Sequence, residues 1–156
     1  MKTVLTVAGS DPSGGAGIQA DIKTITAHGL YATSAITALT VQNTLGVSRV
    51  EPVPVDLVAQ QIDCVVGDIR PDAVKIGMLC NAEIVQAVAQ ALAHGQAECI
   101  VIDPVMISTS GHRLLDQEAV QWMKRKLFPM AQLITPNLPE AEALCGMRVR
   151  DEAEME

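Results

Sequence analysis

Short apolar runs alternate along this chain with stretches in which apolar residues recur every three or four positions, and this alternation limits the fold more than any other feature. Runs at residues 4–8, 31–39, 73–78, 99–102 and 132–135 read as buried strands. Between them, residues 18–28 read as a helix stopped by Gly29, and Val58, Ile62, Val65, Val66 and Ile69 recur at helical spacing up to Arg70-Pro71. Asn81 is a good N-cap for a helix whose face carries Ile84, Val85, Val88, Ala89 and Leu92 and which Gly95 ends. A further helix starts near Asp116, carries Ala119, Val120, Met123 and Leu127, and stops before Pro129; another spans residues 138–145. Residues 40–46 and 107–111 read as polar loops. The pattern predicts an α/β domain with a mostly parallel sheet, in which ligands gather at the carboxyl ends of the strands.

A length of 156 residues suits one domain. Hydrophobic residues make up 49% of the chain and aromatics only 2%, so the core must be built from Val, Ile, Leu, Ala and Met. The net charge is -7, and the basic residues are scattered apart from Lys124-Arg125-Lys126, which argues against nucleic acid or anionic lipid as partner. Small molecules are the expected ligands. Cys64, Cys80, Cys99 and Cys145 lack metal-binding spacing and adjoin apolar segments, so buried free thiols in a reducing compartment are expected. No run has the length of a signal peptide core or membrane span, and the expected location is the cytoplasm.

Between the first strand and first helix lies Ala8-Gly9-Ser10-Asp11-Pro12-Ser13-Gly14-Gly15-Ala16-Gly17. A glycine-rich turn at a helix start aims backbone N–H groups at a bound anion or polar ring. Gly9 and Gly14 have the spacing of a P-loop, but Gly15 stands where that loop needs its lysine. Gly15-Ala16-Gly17-Ile18-Gln19-Ala20 fits a dinucleotide fingerprint, yet residues 36–44 lack the acid that would hold the ribose.

The segment from Gly9 to Lys23 resembles the opening signature of the hydroxymethylpyrimidine/phosphomethylpyrimidine kinases of thiamine biosynthesis, which are ribokinase-like proteins. Ala38-Leu39-Thr40-Val41-Gln42-Asn43-Thr44, Lys75-Ile76-Gly77-Met78-Leu79, Asp103-Pro104-Val105-Met106 and Thr135-Pro136-Asn137-Leu138-Pro139-Glu140-Ala141 resemble that family's later motifs, in order. The resemblance implies a ribokinase-like three-layer sandwich, and transfer of the γ-phosphoryl of ATP, with Mg²⁺, first to an aminopyrimidine alcohol and then to its monophosphate.

It also implies a pyrimidine site made by Gly9, Ala16, Asp21, Gln42, Met78 and Val105, with the Gln42 amide on the ring edge. Gly14, Gly15 and Gly17 would then lie on the pyrimidine side as well. Asp103, Asn137 and Glu140 would serve Mg²⁺ and phosphate, Glu140 indirectly. Each residue has a plainer reading beside this one. Gln42 could be a solvated loop residue and Asp21 a complement to the helix dipole. Met78 and Val105 could be core, Asp103 a turn former, and Asn137-Leu138-Pro139-Glu140 a capping box. Lys75 either faces solvent or is directed at a phosphate. Residues 108–112 read as a flap or a connecting loop, and His28, His94 and His112 have no ligand spacing.

Ribokinase-like kinases carry their anion hole and base in a C-terminal Gly-x-Gly followed by Asp or Cys, and the only glycine after Glu140 is Gly146. Residues 1–156 are therefore expected to be the N-terminal, substrate-binding portion of one kinase domain, with no catalytic base assigned. A noncatalytic pyrimidine-binding module and a kinase of pyridoxal-type alcohols are the alternatives. An early-ending sheet exposes an edge that favours a homodimer.

Overall fold

The computed structural model describes residues 1–106, 115–151 and 154. Its main sheet has five parallel strands: β1 (Thr3–Ala8), β2 (Tyr31–Ile36), β5 (Ala73–Ile76), β6 (Ile100–Ile102) and β7 (Ala131–Ile134), in the spatial order β2-β1-β5-β6-β7. The helices are α1 (Gly17–Ala27), α2 (Val55–Asp68), α3 (Ala82–His94), α4 (Gln117–Trp122) and α5 (Leu138–Cys145).

The direction of travel across the sheet sets the layers. From β1 the chain steps outward to β2, then returns past β1 to β5 and continues to β6 and β7. Right-handed crossovers place α1 on one face and the later helices on the other. In agreement, α1 packs on β1 and β2, while α2 packs on α3 and α3 on α4. Leu5 and Val7 of β1, Val74 and Ile76 of β5, and Ile100 and Ile102 of β6 meet Val58, Ile62, Ile84, Val88 and Leu92 in one aliphatic core. The reversal makes β1 and β5 neighbours whose chains leave in opposite directions, which opens a crevice beyond their carboxyl ends.

Two expectations about this chain need correction. The run at 31–39 is not one strand, and residues 40–46 are not a loop. The chain breaks at Thr37, and β3 (Ala38–Asn43) pairs antiparallel with β4 (Gly46–Pro52) in a hairpin separate from the main sheet. Thr37 is fully buried; its hydroxyl donates to Met78 O at 2.6 Å and its N–H to Ala8 O at 3.0 Å. These bonds turn the chain out of the sheet over the strand ends. Asn43 Oδ1 accepts from the N–H groups of Leu45 and Gly46 and closes the hairpin turn, as a short Asx turn does.

The second correction concerns the thiols. All four cysteines are free, but Cys64, Cys99 and Cys145 are exposed, and only Cys80 is half-buried, where burial pushes its thiol up to about 11. An apolar neighbour in sequence does not place a side chain on the apolar face. Smaller differences occur after α4, where the chain widens into a π-turn at Met123–Leu127 and tightens into a 3₁₀ turn at Phe128–Met130 that accommodates Pro129. Met123 and Leu127 stay buried throughout. Among the described residues no helix is long and apolar enough to cross a membrane.

The packing predicts a graded response along α3. Ile84→Ala, in the centre of the core, should cost about 2–5 kcal/mol. Asn81→Ala, which removes only the cap accepted from Ile84 N–H at 2.9 Å, should cost about 1 kcal/mol. Urea denaturation of the two variants checks the order.

Candidate active site

The crevice is a cleft of about 380 Å³. The glycine-rich turn after β1 forms its floor, and one carboxylate organises that turn. Asp11 is buried and accepts from Ser13 N–H at 2.8 Å, Ser13 Oγ at 2.7 Å, Gly15 N–H at 3.0 Å and Ala16 N–H at 2.8 Å. Burial pushes the Asp11 carboxyl up, but the Ser13, Ala16 and Gly15 bonds outweigh it and hold the carboxyl below the usual range. Ala16 opens α1 without a side-chain cap; Asp11 takes the Gly15 and Ala16 amides just before the helix, and the Ile18 amide inside it goes to a backbone carbonyl. The expectation that these amides aim at a ligand is thereby corrected: three of them are spent on an internal anion.

The same turn is pressed against its neighbours. Ile18 N–H donates to Gly9 O at 3.0 Å, and a Cβ on Gly17, where φ is +55°, would lie 2.3 Å from that oxygen. A Cβ on Gly9 would lie 2.3 Å from the terminal methyl of Met78. Glycine is a steric requirement at position 17, where the clash is with backbone and φ is positive, whereas at position 9 the Met78 side chain would have to move. Ser10 ties the turn to the hairpin: its N–H donates to Ala38 O, its Oγ accepts from Thr40 N–H, and its carbonyl accepts from Thr40 Oγ1. Thr40 and Gln42 alternate with the outward Leu39 and Val41, so the inner face of β3 forms one wall of the cleft. Val41 pairs with Arg49 and Gln42 with Val47, so Ser48 is an extra residue on β4 opposite this point.

Opposite the hairpin the strand ends deliver charge. Lys75 of β5 points into the cleft and bonds Asp21 of α1 at 3.0 Å, while Thr6 of β1 donates to the same Asp21 oxygen at 2.6 Å. Asp103, just past β6, lies 4.0 Å from Lys75. Burial pushes the Asp103 carboxyl up, Lys75 pulls it back, and Glu140 and Asp21 push it up further. Glu140 is buried at the start of α5, its oxygens taking the N–H groups of Asn137 at 2.9 Å and Met106 at 3.3 Å. The Asn137 side chain returns a bond to Glu140 N–H, completing a capping box.

Gly9, Ala16, Asp21, Gln42, Met78, Val105, Asp103, Asn137 and Glu140 thus all line this one cleft. Sequence reasoning missed Ser10, Asp11 and Thr40, although Asp11-Pro12-Ser13-Gly14 carries the composition of an Asx turn. Lys75, for which two orientations stood open, faces the cleft. Residues 108–112, read as a flap or a connecting loop, lie outside the described residues.

A model of the family described as phosphomethylpyrimidine kinase matches residues 11–156. The chain belongs to that family. The hydroxymethylpyrimidine/phosphomethylpyrimidine kinase of Escherichia coli is 52% identical over 158 residues, covering 99% of this chain and 59% of its own length. The crystal structure of phosphomethylpyrimidine kinase from Clostridium difficile superposes with a TM-score of 0.92 at 47% identity, over 99% of this chain and 67% of that one. The pyridoxal kinase of Staphylococcus aureus, solved with AMP-PCP and pyridoxal, gives 0.85 at 36% identity, over 99% and 55%. The fold is therefore ribokinase-like, with helices flanking a mostly parallel sheet. The chain spans 56% and 59% of the length of the curated relatives from Haemophilus influenzae and Escherichia coli.

Asp11 predicts a pH signature. Because its folded pKa is depressed, its contribution to stability is complete above the unfolded carboxylate value of about 4 and is lost as pH falls through the lower folded value. Asp11→Asn should cost about 1–3 kcal/mol at pH 7. In thermal melts the gap between variant and wild type should narrow below about pH 4.

Proposed function

We propose that the chain is the substrate-binding portion of an ATP- and Mg²⁺-dependent kinase of the cytoplasm that phosphorylates hydroxymethylpyrimidine and then its monophosphate. The observation that carries this reading is the convergence of separate sequence motifs, from the glycine-rich turn to the start of α5, on a single cleft at the reversal between β1 and β5.

In this reading the aminopyrimidine ring lies on the Gly9 and Ala16 backbone, with Met78 and Val105 as apolar walls. The carboxamide of Gln42 supplies both donor and acceptor, which matches the mixed edge of an aminopyrimidine. Asp21, held by Thr6 and neutralised by Lys75, sits beside the ring as a fixed charge pair. ATP supplies the phosphoryl group when bound. The donor set fits a Mg²⁺ held mainly by phosphate oxygens and water. Among the described residues nothing donates to the Asp103 carboxylate, which leaves it open to such an ion. Both Glu140 oxygens are already engaged by backbone amides, so Glu140 would act on such an ion only through water.

A pyrimidine alcohol is preferred over a pyridoxal-type alcohol because the relatives named for the pyrimidine are about half identical to this chain, and the pyridoxal kinases are 35–37% identical. Isothermal titration calorimetry tests the choice. Hydroxymethylpyrimidine should bind more tightly than pyridoxal, and Gln42→Ala should weaken the pyrimidine at least about 10-fold, the cost of lost hydrogen bonds to a buried polar edge. Wild-type affinity in that variant would remove Gln42 from the site, and tighter binding of pyridoxal would reverse the substrate preference.

A further inference from the structure

The relatives named above carry two substrates in one name, a hydroxymethylpyrimidine and a phosphomethylpyrimidine. If the proposed function holds for this chain, one cleft must accept a neutral alcohol and then a phosphomonoester bearing a charge of about -1.5 to -2 near neutral pH. The cleft is poorly suited to the second guest. Asp21, Asp103 and Glu140 all line it, and the chain as a whole carries a net charge of -7. Like charges at such distances repel, and burial strengthens the repulsion.

Among the described residues lining the cleft, Lys75 is the one cation. Its ammonium has three N–H groups, of which Asp21 takes one at 3.0 Å. Asp103 at 4.0 Å is an ion-pair neighbour, outside hydrogen-bond range. The side chain is 28% exposed, so donors remain for a group entering the cleft. Two features keep the ammonium in place with space beside it. Thr6 anchors Asp21 from the other side at 2.6 Å, and Gly77 leaves clear the volume where a Cβ would come within 3.0 Å of Nζ.

Lys75 also stands between the residue assigned to the pyrimidine side, Asp21, and the one assigned to the phosphates, Asp103. A substituent on the ring that reaches toward the phosphoryl donor has to pass it. We infer that Lys75 is the specificity-determining residue that admits the phosphorylated substrate, donating to its phosphate from the Asp21–Lys75 pair. Removing a lysine that only neutralised Asp21 would also disfavour the monophosphate by baring that carboxylate, so the shift that marks a direct contact is the one that persists in Asp21→Asn/Lys75→Met. The inference rests on the proposed substrate reading and adds a discrimination which that reading does not require.

The test is the ratio of two affinities. Calorimetry on the whole chain, with EDTA present so that no divalent ion can bridge the phosphate, gives the Kd for hydroxymethylpyrimidine and for its monophosphate. In Lys75→Met the ratio should shift against the monophosphate by about 10- to 100-fold, the usual worth of a charge-assisted hydrogen bond. Lys75→Arg should restore most of it. An unchanged ratio in a folded Lys75→Met protein overturns the inference, as does a wild type that binds the alcohol and rejects the monophosphate. A wild type that binds neither overturns the substrate reading itself. A second measurement depends on no disruptive variant: with ¹⁵N-labelled lysine, whose ammonium keeps all three N–H groups, the Lys75 Nζ signal is identified by its loss in Lys75→Arg. Monophosphate should move that signal further than the alcohol does; a signal that both move equally at saturation overturns the assignment.

Discussion

The carboxylate of Asp11 does for the glycine-rich turn what a bound phosphate does for the loops it superficially resembles. It collects the amides of Ser13, Gly15 and Ala16 and sits against the positive end of α1. The turn is therefore complete without a ligand. Its shape brings Gly17 onto Gly9 and lets Ser10 reach β3, so the floor of the cleft and the wall that bears Gln42 both depend on one buried negative charge. A cleft whose floor is already ordered spends little binding energy on closing it.

The second organising fact is topological. Because the chain reverses direction between β1 and β5, residues far apart in sequence come to one edge of the sheet. Thr6, Asp21 and Lys75 belong to β1, α1 and β5, yet they share a single oxygen of Asp21. Asp103 and Glu140 come from still later in the chain and add negative charge around that pair. Burial first, and then Glu140 and Asp21, raise the Asp103 carboxyl against the pull of Lys75. Groups held at unfavourable charge are characteristic of sites built to meet a ligand, and less so of surfaces built for stability.

Much of this was legible in the residues, for identifiable reasons. The bounds of α5 follow from Asn137, Pro139, Glu140 and Gly146, because caps are local chemistry. The buried face of α3 follows from spacing alone, and every apolar residue assigned to it is buried. The hairpin was not legible in the same way. Thr37 splits an apolar run by bonding to Ala8 and Met78, partners remote in sequence, and no local pattern announces them. The orientation of Lys75 was hidden for a similar reason, since it is set by an aspartate on another element. The solvent exposure of Cys64, Cys99 and Cys145 shows the limit of reading burial from neighbours in sequence.

The hairpin stands apart from the five-stranded sheet, and a two-stranded ribbon is marginal by itself. Its order comes from Thr37 at the base and from Ser10 meeting Thr40 near the middle, while Leu39, Val41 and Leu45 face outward. The parallel sheet, by contrast, is sealed by the aliphatic core. Gln42 therefore stands on the element with fewer ties, and Lys75 on the sealed sheet. A substitution that weakened those few ties would shift the Gln42 wall of the cleft and leave Lys75 and Asp103, at the sheet edge, in register.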